Sequence, residues 1–445
     1  MDALPQLPKT IQSLSEKERQ AIYNAIQSNN LDGLLWLEKL RKFISFHNRN
    51  LKRVSRLRFK EHSEVHLHWL REIFFNQILN DKKNLEDASL INALLIANTA
   101  CKDSDLHILK INEILNNLEQ KLILTEAIPL KNYGNASSFN YSFSKWTSGN
   151  LRKASVTIFC PSPFSLFSIS VLQLLIYLNI PIKSVVILKF SFSRVKSELY
   201  RDGTSLFFKR VWRKLVLRSD ENNENTPISL KSLKDTLAPD IRDIRELART
   251  QNISCLSVKD FDECLSLEKS SQGEICIFTG GGLIRSKILE YFSLGVINIH
   301  MGPLPQYKGM DVVEAPILDG CFNSIALTGH LMEPALDAGP LISEQIFSSD
   351  EYLSLGELRN EMGAMMPILA VDSLISILSA EPGLIPQQPA GRQYYFIHPS
   401  LREIISKVML QRHTSSKANQ VNSRQEKLSL FTKLLKDFSG LTAKY

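Results

Sequence analysis

Asn298 and His300 stand two apart at the end of the apolar run Val296–Ile299. In a strand that spacing puts both side chains on one face. The next residues, Gly302–Pro303–Leu304–Pro305, cannot continue a central strand, so an amide and an imidazole project together at a turn. Further along come Thr328–Gly329–His330 and Leu336–Asp337–Ala338–Gly339–Pro340, where Asp337 also sits on a turn. An amide N–H and a protonated imidazole stabilise the oxyanion of a tetrahedral intermediate. A carboxylate can hold the imidazolium and help take the proton from an attacking amine. No Ser or Cys nucleophile stands beside them in sequence, which suits acyl transfer without a covalent enzyme intermediate. Any one of these residues alone is more often a packing or surface residue; the joint pattern carries the reading.

The surrounding elements must aim these groups. Ser155–Cys160, Ser184–Leu188, Ile253–Val258, Glu274–Phe278 and Val296–Ile299 are short apolar runs expected as strands. Helices are expected over Phe164–Leu178, within Lys231–Arg249, over Arg285–Phe292 and over 353–379. Strands alternating with helices imply βαβ units and a mostly parallel, Rossmann-like α/β sheet. Ligands of such sheets bind beyond the carboxyl ends of the strands. Three such ends stand out: Pro161–Ser162–Pro163, Gly280–Gly281–Gly282, and the run from Asn298 to Gly309.

Residues 1–130 read as an all-α domain. Helical spacing covers Leu14–Ile26, Leu31–Phe46, Asp87–Asn98 and Leu106–Leu124. Residues 131–150 are rich in Ser, Asn and Gly and read as a linker. The catalytic domain is expected over 151–385, and 386–445 as a short basic extension. Within it, Gly391–His398 is expected as a final strand.

The net charge is +7, but it is unevenly spread. Residues 251–400 carry 7 basic and 18 acidic side chains, and 151–250 carry 17 and 9. The candidate chemistry thus lies in the acidic part of a basic chain. The six cysteines form no C-x-x-C pair, which speaks against a zinc ribbon or dithiol site and for a reducing, cytoplasmic setting. Ala154–Ile182 holds no charged residue, yet Pro161, Pro163 and Pro181 divide it like a buried strand–helix–strand unit, so no membrane span is expected.

NIHMGPLPQYKG followed by TGHLMEPALDAGPLI resembles the catalytic core of the folate-dependent formyltransferases. The specific likeness covers about 275–345, with compatible elements over about 150–380. The resemblance implies that Asn298 and His300 polarise a formyl oxygen. Asp337 would orient His300 and accept a proton through water. Gly281, Gly282, Leu283 and Ile284, with the backbone at Leu336 and Asp337, would line a pterin pocket. The donor it implies is 10-formyltetrahydrofolate. The acceptor would be a small primary amine, such as an amino sugar, a nucleotide-linked sugar or an amino-acid derivative, an anionic one included. Gly302–Pro303 departs from the Ser-Leu of some relatives, which puts substrate contacts there in doubt. Other readings are formylfolate hydrolysis, a tRNA-linked amine, and a non-catalytic basic scaffold.

Three further features have bland readings ahead of functional ones. The nine cations between Lys39 and Lys60 suggest an anionic surface or nucleic acid, but fit a solvated face better. The basic stretch from Phe207 to Arg218 fits core packing with solvent-seeking cationic tips. His62, His66 and His68 lack the companions of a metal site, so no metal is expected. The sequence does not fix an oligomeric state.

Overall fold

Five of the apolar runs form neighbouring parallel strands: β1 (Val156–Cys160), β2 (Ile182–Leu188), β3 (Ser254–Val258), β4 (Ile275–Phe278) and β5 (Val296–His300). The computed structural model describes residues 88, 91–92, 95, 105–130, 152–189, 228–266, 273–280, 284–309, 312–379, 383–388, 391–394 and 397–415. The expected helices at 14–26 and 31–46, most of that at 87–98, the linker 131–150, the basic stretches 39–60 and 207–218, His62, His66, His68 and Gly281–Leu283 lie outside them.

Two further long strands complete the sheet. β7 (Ile325–Leu331) runs antiparallel to β5, and β8 (Leu341–Phe347) antiparallel to β7. The order is β3-β2-β1-β4-β5-β7-β8, so the chain reverses its direction of growth between β1 and β4. That seam is stitched at its carboxyl end. Thr279 Oγ1 donates to the Phe159 carbonyl at 2.7 Å and lies 2.6 Å from Ser168 Oγ. A separate pair joins β6 (Tyr307–Gly309) to β9 (Arg392–Tyr394) in parallel.

The helices are α1 (Asp105–Leu124), α2 (Leu166–Tyr177), α3 (Leu230–Leu237), α4 (Ile244–Thr250), α5 (Ser286–Tyr291), α6 (Glu314–Leu318), α7 (Leu355–Leu378) and α8 (Pro399–Ser415). Their starts are coded locally. Ser165 caps α2 by accepting from Ser168 N–H, and Ser354 caps α7 by accepting from Glu357 N–H. The single helix expected within 231–249 is two, because Pro239 cannot donate to the ladder and Asp243 caps a fresh start by accepting from Arg245 N–H.

Strand alternation gives the sheet two unlike faces. Ile158, Val185, Ile187, Ile275, Ile277, Ile297 and Ile299 point to a large aliphatic core that includes residues of α2, α3 and α7. Phe159, Val186, Leu188, Cys276, Phe278 and Val296 point the other way, toward Phe261, Ile288 and Phe292. The α7 helix is long and apolar enough to cross a bilayer, but most of it is buried against α2, α3 and the strands. From before the 131–150 stretch, α1 packs on α8, and both feed the aliphatic core. Glu314 of α6 is fully buried between Arg359 of α7 and Arg402 of α8, at 2.5 and 3.3 Å.

Candidate active site

Val296 lies on the aromatic face, and strand alternation carries Asn298 and His300 onto the same side. They stand at the carboxyl end of β5, opposite His330 and Thr328 of β7 respectively. Directly opposed residues on neighbouring strands share a face, so the four side chains form a polar square. Asp337 reaches it from the turn between β7 and β8. Its φ of 48° is a left-handed conformation that Asp tolerates better than most residues. The turn folds back tightly, and a Cβ on Gly339 would lie 1.9 Å from the Leu331 carbonyl oxygen.

The structure brings Asn298, His300 and Asp337 together with His330, the supporting position that the resemblance implies, and adds backbone partners that residue type does not mark. His300 Nε2 lies 2.8 Å from the Tyr307 carbonyl. A carbonyl only accepts, so Nε2 carries a proton and Nδ1 is the working edge of the ring. That edge faces Asp337 Oδ2 at 3.6 Å, wider than a hydrogen bond. Asp337 Oδ2 accepts from Gly309 N–H at 2.9 Å, which fixes the carboxylate from β6. Tyr307 and Gly309 therefore hold the two ends of the His300–Asp337 pair with backbone groups alone.

Asn298 is held by His330. The His330 Nδ1 atom lies 2.9 Å from its neighbour's carbonyl at Leu331, so Nδ1 is protonated and Nε2 is bare in the neutral ring. Asn298 Nδ2 donates to that Nε2 at 3.1 Å and keeps its second N–H for a ligand. Burial pushes the His330 imidazole down to about 4, with Asp337 pulling the other way and the neighbouring His300 and Lys308 adding to the depression. His330 is thus a neutral acceptor that turns the Asn298 amide. Thr328 Oγ1 donates to the Gly302 carbonyl at 2.8 Å and so ties the Gly302–Pro305 turn to β7.

Of the residues expected to line a pterin pocket, Gly281, Gly282 and Leu283 lie outside the described residues. Ile284 is half-buried against the aromatic cluster. Leu336 is 54% exposed beside Asp337, an apolar surface next to the polar trio. Among the described residues no group of His, Cys, Asp and Glu has the makings of a metal site.

No family model matches the chain. A segment of 138 residues is 29% identical to the methionyl-tRNA formyltransferase of Syntrophomonas wolfei, covering 30% of this chain and 44% of that protein. A segment of 133 residues is 30% identical to the methionyl-tRNA formyltransferase of Staphylococcus epidermidis, covering 30% and 43%. The chain spans about half the length of the curated relatives it matches. Among solved structures, a phosphoribosylglycinamide formyltransferase from Bacillus halodurans aligns with 51% of this chain and 96% of its own. Its identity is 16% and its TM-score 0.34. An N-formyltransferase from Helicobacter canadensis in complex with folinic acid and dTDP-3-aminofucose aligns with 58% and 81%, at 14% identity and a TM-score of 0.36.

An amide, an imidazole and a carboxylate thus converge at a strand end of a mostly parallel α/β sheet, a set of groups that acyl transfer can use. The sequence relatives are formyltransferases, and they bear out the resemblance to the folate-dependent formyltransferase family that the N-x-H and D-x-G motifs carry.

Proposed function

We propose that this chain transfers the formyl group of 10-formyltetrahydrofolate to a primary amine on a small acceptor. One observation carries the reading: the free N–H of Asn298, the Nδ1 edge of His300 and the Asp337 carboxylate face one another at a carboxyl strand end. A formyl carbonyl placed there meets two donors on its oxygen, the Asn298 N–H and the Nδ1–H of a doubly protonated His300, and one base beside the incoming nitrogen. The amine lone pair forms a bond to the formyl carbon, and the π pair moves to oxygen. Asn298 and His300 meet that oxyanion. The amine proton passes to Asp337, directly or through water. The oxygen pair then re-forms the carbonyl, the bond from carbon to the folate N10 breaks, and N10 takes a proton. The exposed Leu336 beside Asp337 supplies apolar area for the flat pterin ring.

The acceptor is argued from charge. The site region is acidic overall while 151–250 is basic, which suits a compact anionic amine guided in from the flank. A second reading, an amine carried on tRNA, is favoured by the names of the curated relatives. Mass spectrometry of a metabolite pool incubated with the protein and 10-formyltetrahydrofolate tests the first reading by a formyl mass gain on a small amine. Formylation of aminoacylated tRNA alone would transfer the assignment to the second. Formate release at an undiminished rate without any amine would replace both with hydrolysis.

A further inference from the structure

The segment after α7 returns to the site. β6 has three residues, and its only strand partner among the described residues is β9, with Tyr307 opposite Arg392, Lys308 opposite Gln393 and Gly309 opposite Tyr394. Backbone groups of a strand alternate in direction. In β6 the Tyr307 carbonyl and the Gly309 N–H point at His300 and Asp337, which turns those of Lys308 toward β9. The strand therefore touches the reacting pair on one side and β9 on the other.

Side chains lock the same arrangement. The Tyr307 and Tyr394 rings stack with centroids 5.0 Å apart and planes 28° from parallel. Both phenols donate to Asp319 Oδ2, at 2.9 and 3.1 Å. Burial, with Asp319 alongside, pushes the Tyr307 phenol far up, so it stays a donor. Tyr394 is itself buried. At Gly309, with φ of 99°, an added Cβ would lie 2.3 Å from the Tyr394 carbonyl oxygen, so the two strands fit only with glycine there.

We propose that β9 is a strap that positions the His300–Asp337 pair through β6, with Tyr394 as its positioning residue. The strap acts on the ring through the Tyr307 carbonyl, which holds the Nε2–H and so turns the Nδ1 edge to the substrate. This rests on the formyl-transfer reading for its kinetic consequence, but the effect on the His300 ring does not.

The test is Tyr394→Phe in the full chain, which keeps the stacked ring and loses the bond to Asp319. With ¹⁵N-labelled histidine, the His300 Nε2 resonance, assigned by its loss in His300→Gln, is expected to shift as its hydrogen bond to Tyr307 loosens. The kcat for formyl transfer is expected to fall about five- to twenty-fold, with KM for donor and acceptor within about two-fold. Val408→Ala, in the buried face of α8, a helix that packs on α1, α6 and α7, is the control for general loosening: a lower Tm with the His300 resonance and kcat unchanged. An unmoved His300 resonance in a folded Tyr394→Phe protein overturns the strap, and so does an equal shift in Val408→Ala. A shifted resonance in a protein that transfers no formyl group would keep the strap and remove the formyl-transfer reading.

Discussion

The two faces of the central sheet are built from the same strands and answer to different rules. On one, Ile297 and Ile299 enter a core of aliphatic side chains closed by α2 and α7. On the other, Phe159 stacks on Phe261 at 4.4 Å and meets Phe292 edge-on at 5.6 Å. Beyond β4 that second face turns polar, with Asn298, His300, Thr328 and His330 side by side. Val296–His300 thus alternates core residues with residues of the proposed site. The polar residues can be exacting in geometry because the aliphatic ones fix the strand that carries them. Each polar group has a partner that is itself anchored: Asn298 on His330, His300 on the Tyr307 carbonyl, Asp337 on the Gly309 N–H.

The sharpest way to separate the faces is to alter neighbours on β5. Asn298→Ala or His300→Ala is expected to lower kcat/KM by about 10²–10³-fold, the usual loss of an oxyanion donor. Their thermal melts should stay within a few degrees of the parent; unfolding at room temperature would mean that the polar face also holds the sheet. Asp337→Asn should lose a comparable amount through the missing base. Ile299→Ala, on the other side of the same strand, is expected to cost about 2–5 kcal/mol in denaturant unfolding. Its folded fraction should turn over nearly as the parent does, and a catalytic loss as large as that of His300→Ala would dissolve the distinction. Phe159→Leu should cost roughly 1–2 kcal/mol, the aromatic contact beyond its area.

The polar face also answers to pH. His330 is held near 4 in the fold and titrates near 6.5 when unfolded. Between those values the unfolded chain binds the extra proton, so His330 favours the fold above about 6.5 and loses that contribution as pH falls toward about 4. His330→Gln should flatten the fall in stability across that window, measured as Tm against pH.

Much of this was legible in the sequence, for physical reasons that also mark the limit. Strands β1, β4 and β5 are largely apolar runs because both their faces are buried, while β3, at the sheet edge, is mostly exposed. Asn298 and His300 are legible because a spacing of two means one face. β7 is harder, since Gly329 interrupts its apolar pattern. The glycine answers to packing across the sheet, where a Cβ would lie 2.2 Å from Ser373 Oγ and 2.6 Å from Ser343 Oγ. β6 is too short for any periodicity. The anchors of His300 and Asp337 at Tyr307 and Gly309 are backbone groups, which every residue has, so residue type does not announce them. The break at Pro239 was written in the chain, and the amphipathic spacing on either side masked it.

The contact between α1 and α8 bears on how the chain comes to be made. Lys407 and Glu119 meet at 3.0 Å across 288 residues of sequence, and Arg412 Nη1 donates to the Thr125 carbonyl at 2.7 Å. A chain lengthening from its amino end therefore finishes α1 long before α8 exists. Throughout that interval Ile111, Ile114, Leu118 and Leu122, all buried in the finished fold, lack that helix as cover. Closing so long a loop is slow, and an uncovered apolar helix invites association with other nascent chains or with chaperones. Synthesis rate and chaperone supply should thus govern how much of the protein reaches its folded form.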